Sequence, residues 1–357
     1  MPAMDTASAQ PLVSVIVPAR NEEACLGACL QSLVFQNDAT RNDAARLEII
    51  VVDDHSTDRT RAIASSFSTK LVRVIEAGPL PVGWTGKNNA VTTGSRAARG
   101  EWLLFTDADT IHLPGSLACS LEEAKRRGAA LLSYSPEQIV KGFWEKAVMP
   151  VIFAELATSF RPSHVSDPNS PSAAANGQYI LITREAYDAV GGHAAIAGTL
   201  LEDVVLARAV KRSGRKIFFR YGGDAVRTRM YRSFTQLLEG WTKNLALLFP
   251  APVRLAALRG IEFVLIVASF AISIVSAWRG HPQPAALAGT LGVILYALFL
   301  TRIRRANFPR YVNIVALFGL PLFSYLLLRS AKAHANGSVP WKGRKYSGET
   351  GLLATGH

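Results

Sequence analysis

The stretch of chain beyond Pro252 constrains the fold most. Residues 260–278, 285–301 and 311–328 are three apolar stretches, each of about the length that crosses a bilayer core. A helix at the edge of a soluble core keeps a polar stripe, and these stretches do not. We therefore read 251–330 as a membrane domain rather than three buried core helices. The first stretch carries one acid, Glu262, near its start, and the third carries Pro321, which membrane helices tolerate. Arg302, Arg304, Arg305 and Arg310 crowd the second connection, which the positive-inside rule places in the cytoplasm. Three full spans would then leave the tail outside. Yet 331–357 is basic, with Lys332, Lys342, Arg344 and Lys345. One re-entrant or interfacial stretch would reconcile the two signals, and the sequence does not say which.

Before Pro252 the pattern changes to short apolar runs alternating with amphipathic stretches. Strands are expected at 13–17, 47–52, 71–75 and 101–106, with helices at 22–35, 58–67 and 87–99 between them. Apolar strands separated by helices indicate a mostly parallel sheet covered on both faces, a doubly wound α/β architecture. Ligands of such folds collect beyond the carboxyl ends of the strands. Three polar clusters fall there: Pro18-Ala19-Arg20-Asn21-Glu22, Asp53-Asp54-His55-Ser56 and Asp107-Ala108-Asp109. The polar residues 1–11 lack a basic n-region and an apolar h-region and read as a disordered lead. Residues 143–160 and 234–249 are apolar and suit either an interfacial helix or ordinary packing. The second contains Trp241 and Lys243, residue types expected at a headgroup boundary. Residues 161–175, rich in Ser, Pro and Ala, read as a surface loop that can act as an acceptor lid beside Asn176-Gly177-Gln178.

The net charge of +12 belongs to this picture. Its Lys and Arg become dense beside the apolar stretches, which suits an anionic membrane surface. No aromatic-basic interleaving points to nucleic acid. The three cysteines imply no disulfide framework, so a reducing face fits, and Cys25 and Cys29 read as buried thiols on a helix. The histidines form no ligand cluster.

Chemistry concentrates in the strand-end clusters. Asp107 and Asp109 offer hard oxygen ligands for a divalent cation, Mg2+ or Mn2+, of the kind that neutralises a diphosphate. Asn21 can cap the following helix, and capping alone would account for its cluster. Thr57 or Asp58 suffices to cap the next one, which leaves Asp53 and Asp54 able to accept hydrogen bonds from a base or ribose. In Gly83-Trp84-Thr85-Gly86-Lys87-Asn88, glycines permit close backbone approach and Lys87 can reach a phosphate or sugar. The spacing is not that of a P-loop.

Val-Ser-Val-Ile-Val-Pro-Ala-Arg-Asn-Glu-Glu, then Val-Val-Asp-Asp-His-Ser-Thr-Asp, then Phe-Thr-Asp-Ala-Asp and Leu201-Glu202-Asp203 together resemble the GT-A domain of glycosyltransferase family 2. Later segments, among them Arg229-Met230-Tyr231, Glu239-Gly240-Trp241-Thr242-Lys243-Asn244 and Trp341-Lys342-Gly343-Arg344, resemble a membrane-anchored branch associated with hopanoid and carotenoid glycosylation. The resemblance implies a GT-A domain over 12–250 and inverting transfer of sugar from a nucleotide-diphosphate sugar. It places Pro18, Arg20, Asn21, Glu22 and Asp54 around the nucleoside, with Asp53 in support, and Lys87 joins these donor residues through the phosphate or sugar contact read above. Asp107 and Asp109 would meet the ribose, diphosphate and metal. Asp203 would be the base, with Glu202, Gln178, Trp241 and Lys243 in secondary or acceptor roles. Gln236-Leu237-Leu238-Glu239-Gly240-Trp241 departs from the Gln-x-x-Arg-Trp motif of processive synthases, which favours a single sugar. The acceptor expected is an isoprenoid-type membrane lipid, with the enzyme multi-pass in the inner membrane and its catalytic domain in the cytoplasm. The competing readings are a polyprenyl-phosphate glycosyltransferase and a non-catalytic nucleotide-sugar-binding subunit.

Overall fold

The computed structural model describes residues 12–38, 47–68, 71–341 and 343–346. The expected disordered lead, Lys342 and 347–357 of the basic tail lie outside the described residues. The chain divides into two compact units. The first runs to Ile139 and resumes over Phe160–Met230; the second takes Val140–Ser159 and continues from Tyr231.

In chain order the elements to residue 230 are β1 (Val13–Ala19), α1 (Leu26–Asp38), β2 (Leu47–Asp53), α2 (Thr60–Ser66), β3 (Val72–Glu76), α3 (Gly86–Ala97), β4 (Trp102–Phe105), β5 (Thr110–His112), α4 (Ser116–Arg127), β6 (Leu131–Ser135), β7 (Glu137–Gln138), α5 (Phe143–Ser159), α6 (Pro162–Ser166), β8 (Ile180–Thr183), α7 (Arg184–Ala189), α8 (Glu202–Arg212), β9 (Ile217–Tyr221) and β10 (Val226–Thr228). All but α5 belong to the first unit.

A seven-stranded sheet of order β3-β2-β1-β4-β8-β6-β9 organises that unit. Its pairings are parallel except where β8 runs against β4 and β6. This is a mostly parallel, Rossmann-like sheet. The two-residue alternation of a strand explains why both faces are covered. Val13, Val15, Val17, Ile49, Val51 and Leu104 enter one buried layer; Ile16, Ile50, Val52, Leu103 and Phe105 enter the other. Register sets Ala19 opposite Asp53 and Ile16 opposite Phe105. The carboxyl ends of β2, β1 and β4 therefore lie side by side, and all three polar clusters emerge there.

Local departures from the sequence reading have identifiable causes. The helix expected from 22 begins at Leu26, because the residues before it serve a neighbouring loop rather than a cap. The 161–175 segment is exposed over much of 161–171, as expected, but it carries the short α6 and is anchored from within. Val165, Ala173, Ala174 and Ala175 are buried, and the Lys211 ammonium donates to the carbonyls of Val165 (2.8 Å) and Ser172 (2.6 Å).

The second unit gathers α5 with α9 (Phe234–Leu248), α10 (Pro252–Trp278), α11 (Pro282–Ile303), α12 (Arg310–Val315), α13 (Gly319–Ala335) and the hairpin β11 (Val339–Trp341) and β12 (Arg344–Tyr346). Among the described residues, three helical stretches are long and apolar enough to cross a membrane: Pro252–Trp278, Pro282–Ala306 and Arg310–Ala335. The third is not one helix, since a 3-10 turn over Ala316–Phe318 separates α12 from α13. It is also more covered, with 44 % of its apolar stretch buried against 11 % and 17 % for the others. Along α10 and α11, residues such as Ile261, Val264, Ile274, Leu287, Val293 and Leu298 are exposed. Water does not leave so broad an apolar surface uncovered, which supports membrane association. Trp241 is no headgroup residue. It is 2 % exposed, its indole N–H points at Met149 Sδ (3.4 Å), and its ring packs edge-on to Phe153 and Tyr231. Lys243 instead lies over the Trp341 ring at 4.8 Å.

Candidate active site

The first two strand ends are laced together. Arg20 donates to the carbonyls of Asp54 (2.7 Å) and His55 (3.4 Å). Asn21, at φ 54°, does not cap α1; its side-chain oxygen accepts from the Thr57 amide (2.9 Å), while its own amide donates to Ser56 Oγ (3.1 Å). The Glu22 amide donates to Thr60 Oγ1 (2.7 Å). Asp58 serves the start of α2, accepting from the Thr60 amide (2.9 Å). Asp53 accepts from the Ser56 amide (3.3 Å), and Asp53 and Asp54 are both buried. The donor-site candidates of the first two clusters thus form one braced wall.

At the end of β4, buried hydroxyls hold the Asp107-Ala108-Asp109 turn from below. Thr110 Oγ1 donates to the Asp107 carbonyl (2.8 Å), and Thr228 Oγ1 to that of Asp109 (3.2 Å). Thr106 and Thr110 both meet His112 Nε2, at 3.1 and 3.2 Å. Burial pushes His112 down to about 3, so it stays neutral. Gln178, expected beside the acceptor, is buried, and its side-chain amide donates to Thr228 Oγ1 (3.3 Å). It braces the turn.

The start of α3 brings the remaining groups together. Thr85 caps the helix by accepting from the Asn88 amide (3.1 Å). Asn88 in turn donates to the carbonyls of Ile196, Ala197 and Thr199, which ties α3 to the approach of α8. Lys87 is thereby placed between two carboxylates, with Nζ 2.7 Å from Asp107 Oδ1 and 2.7 Å from Glu202 Oε1. Burial alone would lower its pKa; the two carboxylates override that and hold the ammonium well above the usual lysine range.

Asp203 occupies the first turn of α8, its Oδ1 accepting from the Val204 amide (2.8 Å) and its Oδ2 from the Gly177 amide (3.0 Å). Burial pushes its pKa up to about 6, with the Glu202 charge adding to the rise. Lys87 and the two amides work in the other direction. Such a carboxylate is ionised near neutrality yet ready to accept a proton.

Pro18, Lys87, Asp107, Gly177, His193 and Glu202 line one small cleft. Sequence reasoning missed Gly177 and His193 as site residues. A Cβ on Gly177 would lie 3.0 Å from Lys87 Nζ, 3.3 Å from Glu202 Oε1 and 3.6 Å from Asp203 Oδ2, so only a residue without a side chain leaves these groups room to converge. His193 follows Gly191 and Gly192, both at positive φ, and burial holds it down at about 4. That glycine pair was the available signal. Among the described residues no three His, Cys, Asp or Glu side chains are grouped to hold an ion by themselves. Two carboxylates in a turn nevertheless suit a hard cation that takes its other ligands from substrate phosphates and water.

The carboxyl edge of a mostly parallel sheet thus gathers acids and a lysine in one place, the position where ligands of such sheets collect. Residues 14–190 match the family model described as Glycosyl transferase family 2, and the chain belongs to that family of enzymes. It is 27 % identical over 341 residues to the 4,4'-diaponeurosporenoate glycosyltransferase of Staphylococcus aureus (strain MRSA252), covering 94 % of this chain and 88 % of that protein. The mannosyltransferase PcManGT from Pyrobaculum calidifontis, solved with GDP-Man and Mn2+, aligns over 91 % of this chain and 87 % of its own at 16 % identity and a TM-score of 0.49. S. aureus TarS 1–349, solved with UDP-GlcNAc, aligns over 91 % and 92 % at 16 % identity and a TM-score of 0.42.

Proposed function

We propose that this enzyme transfers a single sugar, with inversion, from a nucleotide-diphosphate sugar to an isoprenoid-type membrane lipid of the carotenoid class. The observation that carries the reading is the convergence of Asp203, Glu202, Lys87 and Asp107 around Gly177 at the carboxyl edge of the sheet. The acceptor class is supported by the relative that acts on 4,4'-diaponeurosporenoate and by the apolar helices in the same chain.

In the proposed reaction the acceptor oxygen attacks the anomeric carbon from the face opposite the diphosphate. Asp203 takes the acceptor proton as the new C–O bond forms, while the old C–O bond breaks and its electron pair leaves on the diphosphate. Lys87 is already held charged beside Asp107, where its ammonium can face the departing anion. The braced wall of Arg20, Asn21, Glu22, Asp53 and Asp54 receives the nucleoside. A divalent cation, held by Asp107 and Asp109 together with the donor, would offset the diphosphate charge. A base at Asp203 suits an acceptor presented as a hydroxyl or a protonated carboxyl; an acceptor already ionised, phosphate or carboxylate, would need none. We place the first unit in the cytoplasm of a membrane-embedded enzyme, on the strength of Arg302, Arg304, Arg305 and Arg310 at the end of α11 and beyond it.

The test is transfer by the purified full-length enzyme in lipid vesicles, with and without Mg2+ or Mn2+, alongside Asp203→Asn. The reading requires loss of turnover in the variant and after chelation. Full turnover by Asp203→Asn would refute the assigned base.

A further inference from the structure

The second unit contains its own marker of membrane side. Helix α5 follows Ile139 after three residues and runs directly into Phe160, both in the first unit. A helix tied at both ends to one compact unit, through three residues at most, does not reach opposite faces of a bilayer with its two ends. Its Glu155 pairs with Arg259 (3.0 Å) and Arg302 (3.2 Å), and Glu262 pairs with Arg259 (2.9 Å) and Arg302 (2.8 Å). This four-charge cluster levels α5 with the first turns of α10 and the last turn of α11, the catalytic-side ends of a helical hairpin.

The third apolar segment stays at that level. Phe308 packs edge-on to Phe153 of α5, the Lys146 ammonium lies 6.0 Å from the Tyr311 ring, and Gly319 sits directly on the Ala147 backbone. The hydrogen bonds that α13 makes to other helices run to α9 and the start of α10. Ser324 donates to the Ala256 carbonyl (2.9 Å), Arg329 to Thr242 Oγ1 (3.0 Å) and Ser330 to the Thr242 carbonyl (2.6 Å). The His334 ring meets the Lys243 carbonyl (2.9 Å), and the β11–β12 hairpin follows, its Trp341 lying under Lys243. Helix α9 precedes α10, so it stands on the side where the chain has not yet crossed.

The uncovered face of this segment is apolar. Tyr311, Ile314, Phe318, Tyr325 and Leu328 are exposed at helical spacing, opposite the buried Val312, Ala316, Phe323 and Leu327. We infer that residues 310–335 lie in the plane of the membrane on the catalytic side, with that stripe seated at the headgroup–acyl boundary of the bilayer. Helices α10 and α11 are then a two-span hairpin, and the basic tail returns to the side of the first unit. This inference rests on the membrane-spanning reading of α10 and α11. It removes the conflict between the tail's charge and three full spans.

Cys119 is exposed in the first unit, whereas Cys25 and Cys29 are buried, so the wild-type chain reports its catalytic side through one native thiol. The experiment labels full-length protein with a membrane-impermeant maleimide in right-side-out and inside-out vesicles. It compares wild type with Ser338→Cys and Arg279→Cys, each in a Cys119→Ala background that retains transferase activity. Both positions are exposed. The expected result is labelling of Ser338→Cys from the face that labels Cys119, and of Arg279→Cys from the other. Labelling of Ser338→Cys from the Arg279→Cys face, or from neither face, overturns the inference and leaves the hairpin intact. Labelling of Arg279→Cys from the Cys119 face instead overturns the spanning reading itself.

Discussion

Asp203 ties activity and stability to pH in opposite directions. Its pKa rises from 3.8 to about 6 because burial penalises the charged form. A rise of that size corresponds to about 3 kcal/mol. The sign follows from linkage. Between pH 4 and 6 the folded chain holds a proton that the unfolded chain has released, so stability from this group is greatest below pH 4 and declines as pH rises to 6. Activity runs the other way, since only the ionised form accepts the acceptor proton. Raising pH from 5 to 7 moves Asp203 from about one-tenth to about nine-tenths ionised, so initial rates at subsaturating acceptor climb ~10-fold. Asp203→Asn abolishes the carboxylate and with it the penalty. The variant loses turnover but is ~1–3 kcal/mol more stable than wild type at pH 7.5, with no such gain at pH 4. The assay is lipid-extractable label at fixed donor across pH 5–8, paired with denaturation of both proteins at the two pH values. A flat rate profile, or a variant no more stable at pH 7.5, would show that Asp203 is neither the base nor a buried charge under strain.

Further outcomes are expected from the same cleft. Lys87→Met leaves Asp107 and Glu202 facing each other without their cation. Since Lys87 and Asp107 are about one-third open to solvent, we expect ~2 kcal/mol of lost stability rather than the full cost of a broken buried pair, together with a higher donor KM. Steady-state kinetics and denaturation of one preparation check both. Asp107→Asn lowers turnover by ~100-fold, the scale of removing one electrostatic stabiliser, and excess Mn2+ restores part of it. Gly177→Ala puts a methyl 3.0 Å from Lys87 Nζ and cuts kcat while global stability changes little, because the far end of a lysine can yield.

The sheet was legible because each core strand is a short, nearly continuous apolar run, whose alternate residues feed two covered faces, as Leu103 and Leu104 do. Asp107, Asp203 and Lys87 were legible as residue types at strand and helix ends. Their mutual geometry was not, since Lys87 reaches Glu202 only because Asn88 draws the 196–199 loop onto α3. Asn21 misled for a related reason: an asparagine before a helix reads as a cap, and its use by the Thr57 amide depends on a second loop 36 residues away. Gly177 carries no side chain to announce a site. The placement of α5 with the C-terminal helices lies beyond any local pattern, because its ion partners Arg259 and Arg302 lie 104 or more residues later.

Transfer of sugar to an apolar lipid is the activity proposed for this enzyme. It is tested most directly by incubating membranes that contain the full-length enzyme with labelled nucleotide sugars in a panel, then extracting the lipids for mass analysis. The expected result is label in an isoprenoid-type lipid carrying one sugar, dependent on Asp203. Label confined to water-soluble polymer, or to a polyprenyl phosphate, would contradict it.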